Sequence, residues 1–255
     1  MRPLISFALA LLLCSACGNN TPEGYTLQGN FPGLKDGMIA ILRNAETKEV
    51  EELARDTVRN GQFELQGKVS SPLFCTLTID NQNIVKEGEY PHINYGAFLF
   101  LDNSKLEVQT SHYDSLPYLS RMYPVNNELA ANVTGGQTQA DYIAYRQALL
   151  PLELTADKAS DTLNRLRFFH KYKYPAEEYA RIYAELYPPQ MQAEAQVRKA
   201  QLAFIRQHPV SPVSLYLAEQ LARKEFTLTR EEVEELARLT APADDSVRQP
   251  RLQKL

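Results

Sequence analysis

The sequence contains no tryptophan and only three cysteines, Cys14, Cys17 and Cys75. Cys14 and Cys17 are the only pair with Cys-x-x-Cys spacing, and they lie at the end of the N-terminal apolar run. The rest of the chain therefore lacks the dithiol redox centre that this motif builds. The sequence also lacks a His-Glu-x-x-His motif and a Gly-x-Ser-x-Gly elbow. Its four histidines include no pair at the spacing of metal ligands. We therefore expect no metal, no cofactor and no catalytic residue, and we predict that the protein is not an enzyme.

Neither positive nor negative charge is in large excess. The chain has 27 Lys and Arg residues against 31 Asp and Glu residues, which gives a formal net charge of −4. Nucleic-acid-binding proteins usually carry a clustered basic face, and none is evident in the sequence. The composition therefore disfavours a nucleic-acid partner.

Long apolar runs are also missing. The run Leu4–Leu13 spans ten residues, whereas a membrane-crossing helix needs about 20. A basic residue precedes this run, and the small residues Ser15 and Ala16 follow it, directly before Cys17. This order is typical of a bacterial secretory signal that ends in a lipobox, so we predict cleavage after Ala16 and lipid attachment at Cys17. The alternative is an ordinary cleaved signal in which Cys17 is incidental.

Removal of the predicted signal peptide, residues 1–16, leaves 255 − 16 = 239 residues with a net charge of −4 − 1 = −5. Cys14 leaves with the signal and Cys17 carries lipid, so Cys75 remains as a single thiol and cannot form an intramolecular disulfide. The polar residues 17–24 predict a tether. The segment Gly18-Asn19-Asn20 favours a periplasm-facing location. Two or more acyl chains would give stable attachment to the cell-envelope membrane.

Residues 25–115 show the pattern of a β-sandwich domain. The strongest turn signal is Asn60-Gly61, because both residue types tolerate positive φ. Leu73–Ile79 alternates in polarity and places Cys75 on its apolar face, so we predict a core cysteine rather than a reactive thiol. Short strands with turns between them indicate an antiparallel sandwich. The seven predicted strands cover residues 25–29, 38–42, 56–59, 62–66, 73–79, 97–101 and 106–110.

Residues 116–255 are predicted to form a helical region, with helix signals from about Gln137. Apolar residues recur there at three and four residues. Pro188-Pro189 predicts the end of one helix, and Ser211-Pro212 predicts the start of another. Thr229 and Glu232 have the spacing of a capping box. Strands followed by helices indicate an α+β fold.

Several stretches together resemble a known family. They are residues 25–29, the segment 60–67 leading to Pro72, residues 133–137 and residues 204–214. In this order they resemble the uncharacterised β-rich N-terminal domain of bacterial thiol–disulfide oxidoreductase (TlpA/ResA-like) lipoproteins. The resemblance spans about residue 25 to the C-terminus. It implies a lipid-anchored location, strands before helices, and a non-catalytic role, because the thioredoxin-like domain with Trp-Cys-x-x-Cys does not follow in this sequence.

The loop Glu87–Gly96 combines tyrosines, a histidine and glycines between predicted strands. Tyrosine offers rigid contact area with a polar tip, which suits binding loops. We therefore predict a binding loop at Tyr90, His92 and Tyr95. The alternative is a solvated connection between strands.

Four segments share the pattern Asp-Ser/Thr-aliphatic, which resembles an O-glycosylation sequence of some bacteria that make such lipoproteins. The predicted acceptors are Thr57, Ser115, Thr162 and Ser246. Asp-Ser and Asp-Thr also favour turns and caps without any glycan, which is the alternative.

The sequence favours a membrane-anchored cell-envelope lipoprotein with a non-catalytic binding or scaffolding role and an envelope protein as partner. The first alternative is an accessory of a separate thiol–disulfide oxidoreductase. The second is a truncated relative of such an enzyme that has lost its thioredoxin-like domain.

Overall fold

A computed structural model describes residues 23–47, 49, 51–81, 95–116, 131–170, 173–223 and 229–240. The predictions for Cys17, Tyr90, His92 and Ser246 lie outside these residues. The described part has an α+β fold, with strands followed by helices as predicted. The strands are β1 (Tyr25–Asn30), β2 (Ile39–Asn44), β3 (Glu51–Thr57), β4 (Gln62–Gly67), β5 (Leu73–Asp80), β6 (Tyr95–Leu101), β7 (Lys105–Gln109) and β8 (Asn132–Thr134). The helices are α1 (Gln137–Phe169), α2 (Ala176–Gln207), α3 (Pro212–Arg223) and α4 (Arg230–Thr240).

The strands form two open four-stranded sheets. The first sheet has the order β4-β1-β7-β8 and the second the order β3-β2-β5-β6. Neighbouring strands are antiparallel except β1 and β7, which pair in parallel. The prediction of a wholly antiparallel arrangement is therefore wrong for this pair. The whole second sheet separates β1 from β7 along the chain, so no tight turn forces them to run in opposite directions.

The Asn60-Gly61 turn passes the chain from one sheet to the other. Asn60 and Gly61 have φ values of 53° and 72°, and the backbones of Arg59 and Gln62 exchange two hydrogen bonds, of 3.0 and 3.2 Å. The predicted turn is thus confirmed. The strands that it joins nevertheless belong to different sheets. The first of them is β3, which begins five residues before the predicted 56–59 because it pairs with β2 from Glu51 onward. The charged residues of this segment hide the strand in the sequence.

One apolar core contains residues from both sheets. Alternate residues of the first sheet are buried in it, as Leu27 and Leu65 show. The second sheet contributes Leu77 and Cys75, both with no exposed surface. Each fully buried aliphatic side chain contributes about 1.5–3 kcal/mol. The prediction that Cys75 lies in the core is confirmed.

A second, aromatic core attaches the helices to the outer face of the second sheet. Phe74 of β5 and Phe100 of β6 contact Tyr142 of α1, with ring centroids 5.6 and 5.4 Å apart. Tyr216 of α3 packs on the same two phenylalanines at 4.9 and 5.5 Å. Aromatic pairs at these distances stabilise the fold beyond their buried area. This core explains why β5 presents Phe74 on the face opposite Cys75.

Helices α1 and α2 form an antiparallel hairpin of 33 and 32 residues. Arg167 near the end of α1 donates to the Tyr183 hydroxyl at 2.6 Å, and Gln201 donates to the Tyr145 hydroxyl at 3.2 Å. The first contact lies near the end of α1 that leads into α2, and the second lies nearer the far end. The two helices therefore run in opposite directions.

The prolines do not end the helices. Pro188-Pro189 lies inside α2, and Pro151 lies inside α1. The prediction that Pro188-Pro189 terminates a helix is wrong. An interior proline costs about 3 kcal/mol, and the packing of α2 along α1 offsets this cost.

The capping box of α4 is confirmed. The backbone N–H of Glu232 donates to Thr229 Oγ1 at 3.2 Å, and the Thr229 N–H donates to Glu232 Oε2 at 2.7 Å. Among the described residues, no helix combines the length and the apolar character that crossing a bilayer requires.

Candidate functional site

The outward face of the first sheet is polar, and we call it the polar sheet face. Along β1, β4 and β7, buried residues alternate with exposed ones such as Gln28, Glu64 and Glu107. The Glu64 carboxylate accepts hydrogen bonds from the amides of Gln28 and Gln66. The face is therefore a row of linked amides and carboxylates on a rigid sheet, able both to donate and to accept hydrogen bonds.

A cleft of about 620 Å³ lies where the polar sheet face meets the Asn60-Gly61 turn, and we call it the turn cleft. Its acidic groups are Asp56, Glu64 and Glu107, and its basic group is Arg59. Polar side chains complete much of the lining: Gln28, Asn30, Thr57, Asn60 and Gln62. A lining with several acceptors, several amide donors and one cation suits a polar ligand that is neutral or weakly basic.

Asp56 is fixed at the edge of the turn cleft. Its Oδ1 accepts the N–H of Thr57 at 2.8 Å, and its Oδ2 accepts the N–H of Glu64 in β4 at 2.9 Å. Thr57 is exposed, whereas Val58 is fully buried. The Asp56 side chain thus bonds nearby backbone groups, as expected for an Asp-Thr pair that serves a turn without any glycan. Thr57 is nevertheless exposed to solvent.

The other described Asp-Ser/Thr-aliphatic segments lie elsewhere in the fold. Ser115 is half-buried in a short 3-10 turn, and its hydroxyl accepts from Ser111 at 3.1 Å. Thr162 is exposed on α1 and donates to the Lys158 carbonyl at 2.9 Å. The aliphatic residue after each is buried, as with Thr57. Thr57, Ser115 and Thr162 therefore form three separate surface positions and not one site.

Tyr95 lies in a strand and not in a loop. It is the first residue of β6 and pairs with Ile79 of β5. Its half-buried ring packs edge-on against Tyr113, with centroids 5.3 Å apart. The prediction that the loop extends through Tyr95 to Gly96 is therefore wrong, because backbone pairing with β5 extends the strand to Tyr95. The binding role of Tyr90, His92 and Tyr95 stays a prediction.

Cys75 has the environment of an unreactive thiol. It has no exposed surface, and its Sγ lies 3.7 Å from the Leu73 carbonyl oxygen. Burial raises the pKa of the Cys75 thiol far above its usual value, and the negative charges of Glu46 and Glu51 add to the shift. The thiolate is the form that attacks disulfides, so Cys75 is unsuited to thiol exchange at neutral pH.

The described histidines occupy separate places. His112 pairs with Asp114 near the 3-10 turn, His170 follows the end of α1, and His208 follows the end of α2. Within the part of the chain that the structure describes, no three His, Cys, Asp or Glu side chains are grouped to hold a metal ion.

Of the residues that line the turn cleft, the sequence singles out Thr57 as a site residue and Asn60 as a turn residue, and it marks none of the others as functional. Gln28, Glu64 and Glu107 occupy the polar positions of alternating strands, and this alternation predicts a strand without indicating a binding site. The cleft forms because β3 belongs to one sheet and β4 to the other. The alternation of polar and apolar residues does not predict which sheet a strand joins.

A family model described as "Domain of unknown function (DUF4369)" matches residues 25–142. The match covers both sheets, the polar sheet face, the turn cleft and the first residues of α1. The predicted resemblance to an uncharacterised β-rich domain is confirmed at this level, and its association with thiol–disulfide oxidoreductases stays a prediction. No curated protein and no solved structure matches the chain.

Proposed function

We propose that this chain is a cell-envelope lipoprotein with a non-catalytic binding or scaffolding role, held on the periplasmic side by lipid at Cys17. Its binding site is the polar sheet face together with the turn cleft. The observation that carries this proposal is the cleft of about 620 Å³, lined by amides and carboxylates that a rigid sheet positions. Such a surface recognises a polar partner by hydrogen bonds without needing a reactive group.

We further propose that the two sheets pack face to face as a β-sandwich. One apolar cluster contains buried residues from both sheets, and the opposite faces differ in chemistry. One outer face is polar, and the other carries Phe74 and Phe100 against the helices. This arrangement leaves the polar sheet face available to a partner while the helices cover the aromatic face.

The lipid anchor follows from the first seventeen residues. An apolar run too short to cross a bilayer precedes Ser15, Ala16 and Cys17. Replacing Cys17→Ser removes the thiol that receives the lipid. We expect the full-length protein to remain with membranes after a high-salt wash, and the variant to be released into the soluble envelope fraction or to stay unprocessed.

The measurement is fractionation of bacteria that secrete the protein, followed by intact mass of the purified chain. Retention of the variant in processed form in washed membranes would contradict the anchor. The same mass tests the acceptors Thr57, Ser115, Thr162 and Ser246: a value equal to that of the lipidated polypeptide alone would exclude glycans there.

Binding at the turn cleft can be tested with a photo-crosslinking amino acid. Gln62 lines the cleft, and Gln192 is an exposed glutamine of α2 that serves as the matched control. In intact cells we expect crosslinked adducts from position 62 and not from position 192. The charge reversal Glu64→Lys, which changes the cleft lining and preserves an exposed position, should remove the adduct. Equal adducts from both positions, or adducts unaffected by Glu64→Lys, would rule out a binding site here.

A further inference from the structure

The end of the helical hairpin exposes two adjacent phenylalanines. Phe168 and Phe169, the last two residues of α1, are 76% and 78% exposed. Their exposed fractions are larger than those of the other large apolar residues that the structure describes, of which Val210 is the next at 63%. Neighbouring helix positions point about 100° apart, so the pair covers a broad arc. We call Arg167, Phe168, Phe169 and Lys173 the hairpin tip.

The hairpin tip is basic in a chain that is acidic overall. Between Asp161 and Glu177 the sequence has four basic residues and no acidic residue, whereas the chain has a net charge of −4. Arg165 is partly neutralised because it pairs with Asp161 at 2.8 Å. Arg165 and Arg167 lie near the end of α1, and the other two basic residues lie between α1 and α2 in the sequence.

The hairpin tip is held by the rest of the hairpin. The Arg167 guanidinium donates to the Tyr183 hydroxyl at 2.6 Å and lies 5.2 Å from the centre of the Tyr183 ring. Tyr183 stacks between Tyr179 and Tyr187 of α2, with centroids 6.3 and 5.5 Å away. Arg167 keeps its positive charge in this arrangement. The exposed phenylalanines therefore project from a braced end and not from a loose one.

We propose that the hairpin tip binds the surface of a bilayer that contains anionic phospholipids. Phenylalanine is among the apolar side chains that surface-bound segments bury at the boundary between headgroups and acyl chains, and nearby cations are attracted to anionic headgroups. Phe168 and Phe169 supply the inserting groups, and Arg167 and Lys173 supply charge of the opposite sign to the lipid. This contact is separate from the proposed lipid at Cys17 and orients the protein on the membrane.

The absence of tryptophan provides a direct test. Phe169→Trp places a single reporter at the hairpin tip, and Val210→Trp places one at a similarly exposed residue beyond the opposite end of α2. The full chain is reconstituted into phosphatidylglycerol vesicles with or without brominated acyl chains. We expect a blue shift and several-fold stronger bromine quenching at position 169 than at position 210. Co-flotation checks separately that each variant remains attached to the vesicles.

Two further variants separate insertion from other contacts. In the Phe169→Trp background, Phe168→Ser and Lys173→Glu should each reduce the quenching at least twofold, because one removes an inserting ring and the other reverses a charge. Both positions are exposed, so thermal unfolding should remain unchanged. Equal quenching at positions 169 and 210 would overturn the proposal. A blue shift without bromine quenching would also overturn it, because the tip would then be buried against a second copy of the chain.

Discussion

Replacing Gln139→Ala is expected to lower the free energy of unfolding by about 2–4 kcal/mol, because the buried backbone groups that its amide pairs lose their hydrogen-bond partner and a cavity forms. Gln139, in the first turn of α1, has no exposed surface. Its Oε1 accepts the N–H of Phe100 at 2.8 Å, and its Nε2 donates to the Val133 carbonyl at 3.3 Å. One side chain thus connects the start of a helix to β6 in one sheet and β8 in the other.

The measurement is urea denaturation followed by circular dichroism, with Gln137→Ala as the matched control. Gln137 is exposed two residues away and bonds only within its own helix in the contacts described, at 2.8 Å to Asp141. Its replacement should change the free energy of unfolding by about 0.5 kcal/mol or less.

A third variant, Gln139→Met, preserves the length of the side chain and removes the amide. It should remain nearly as destabilised as the alanine variant if hydrogen bonding dominates. Recovery of most of the stability by methionine would show that packing, and not the bridge to Phe100 and Val133, explains the effect.

Local signals in the sequence predicted local structure well. Asn60-Gly61 forms its turn because glycine and asparagine accept positive φ, and the capping box of Thr229 and Glu232 forms within four residues. Cys75 lies in the core because a period of two places it with buried neighbours. Each of these predictions depends on contacts close in sequence, so the residues themselves are sufficient.

Features that depend on distant contacts were not predictable in the same way. β8 has three residues and exists because it pairs with β7, and the parallel pairing of β1 with β7 spans most of the β region. The helix through Pro188-Pro189 depends on packing against α1. For the same reason the turn cleft was missed: it forms where the chain leaves one sheet and enters another.

The Gly135→Ala replacement is expected to lower the free energy of unfolding by about 2–5 kcal/mol, through two effects that add. Gly135 has a φ of +94°, in the region that costs an L-residue about 1–2 kcal/mol. An added Cβ would also lie well inside 3.0 Å of the Lys105 carbonyl oxygen, which belongs to the backbone of β7. Moving that backbone costs about 1–3 kcal/mol and disturbs the strand that pairs with both β1 and β8.

Gly37→Ala isolates the first of these effects. Gly37 has nearly the same φ, +90°, and a Cβ there would meet no atom within 4 Å. Its replacement should therefore cost about 1–2 kcal/mol from backbone strain alone. Both variants are denatured under the same conditions. The difference between their losses in free energy of unfolding is the cost of crowding at Lys105. Equal destabilisation would contradict the argument, because it would show that β7 yields to the methyl group without cost and that Gly135 is needed only for its backbone angle.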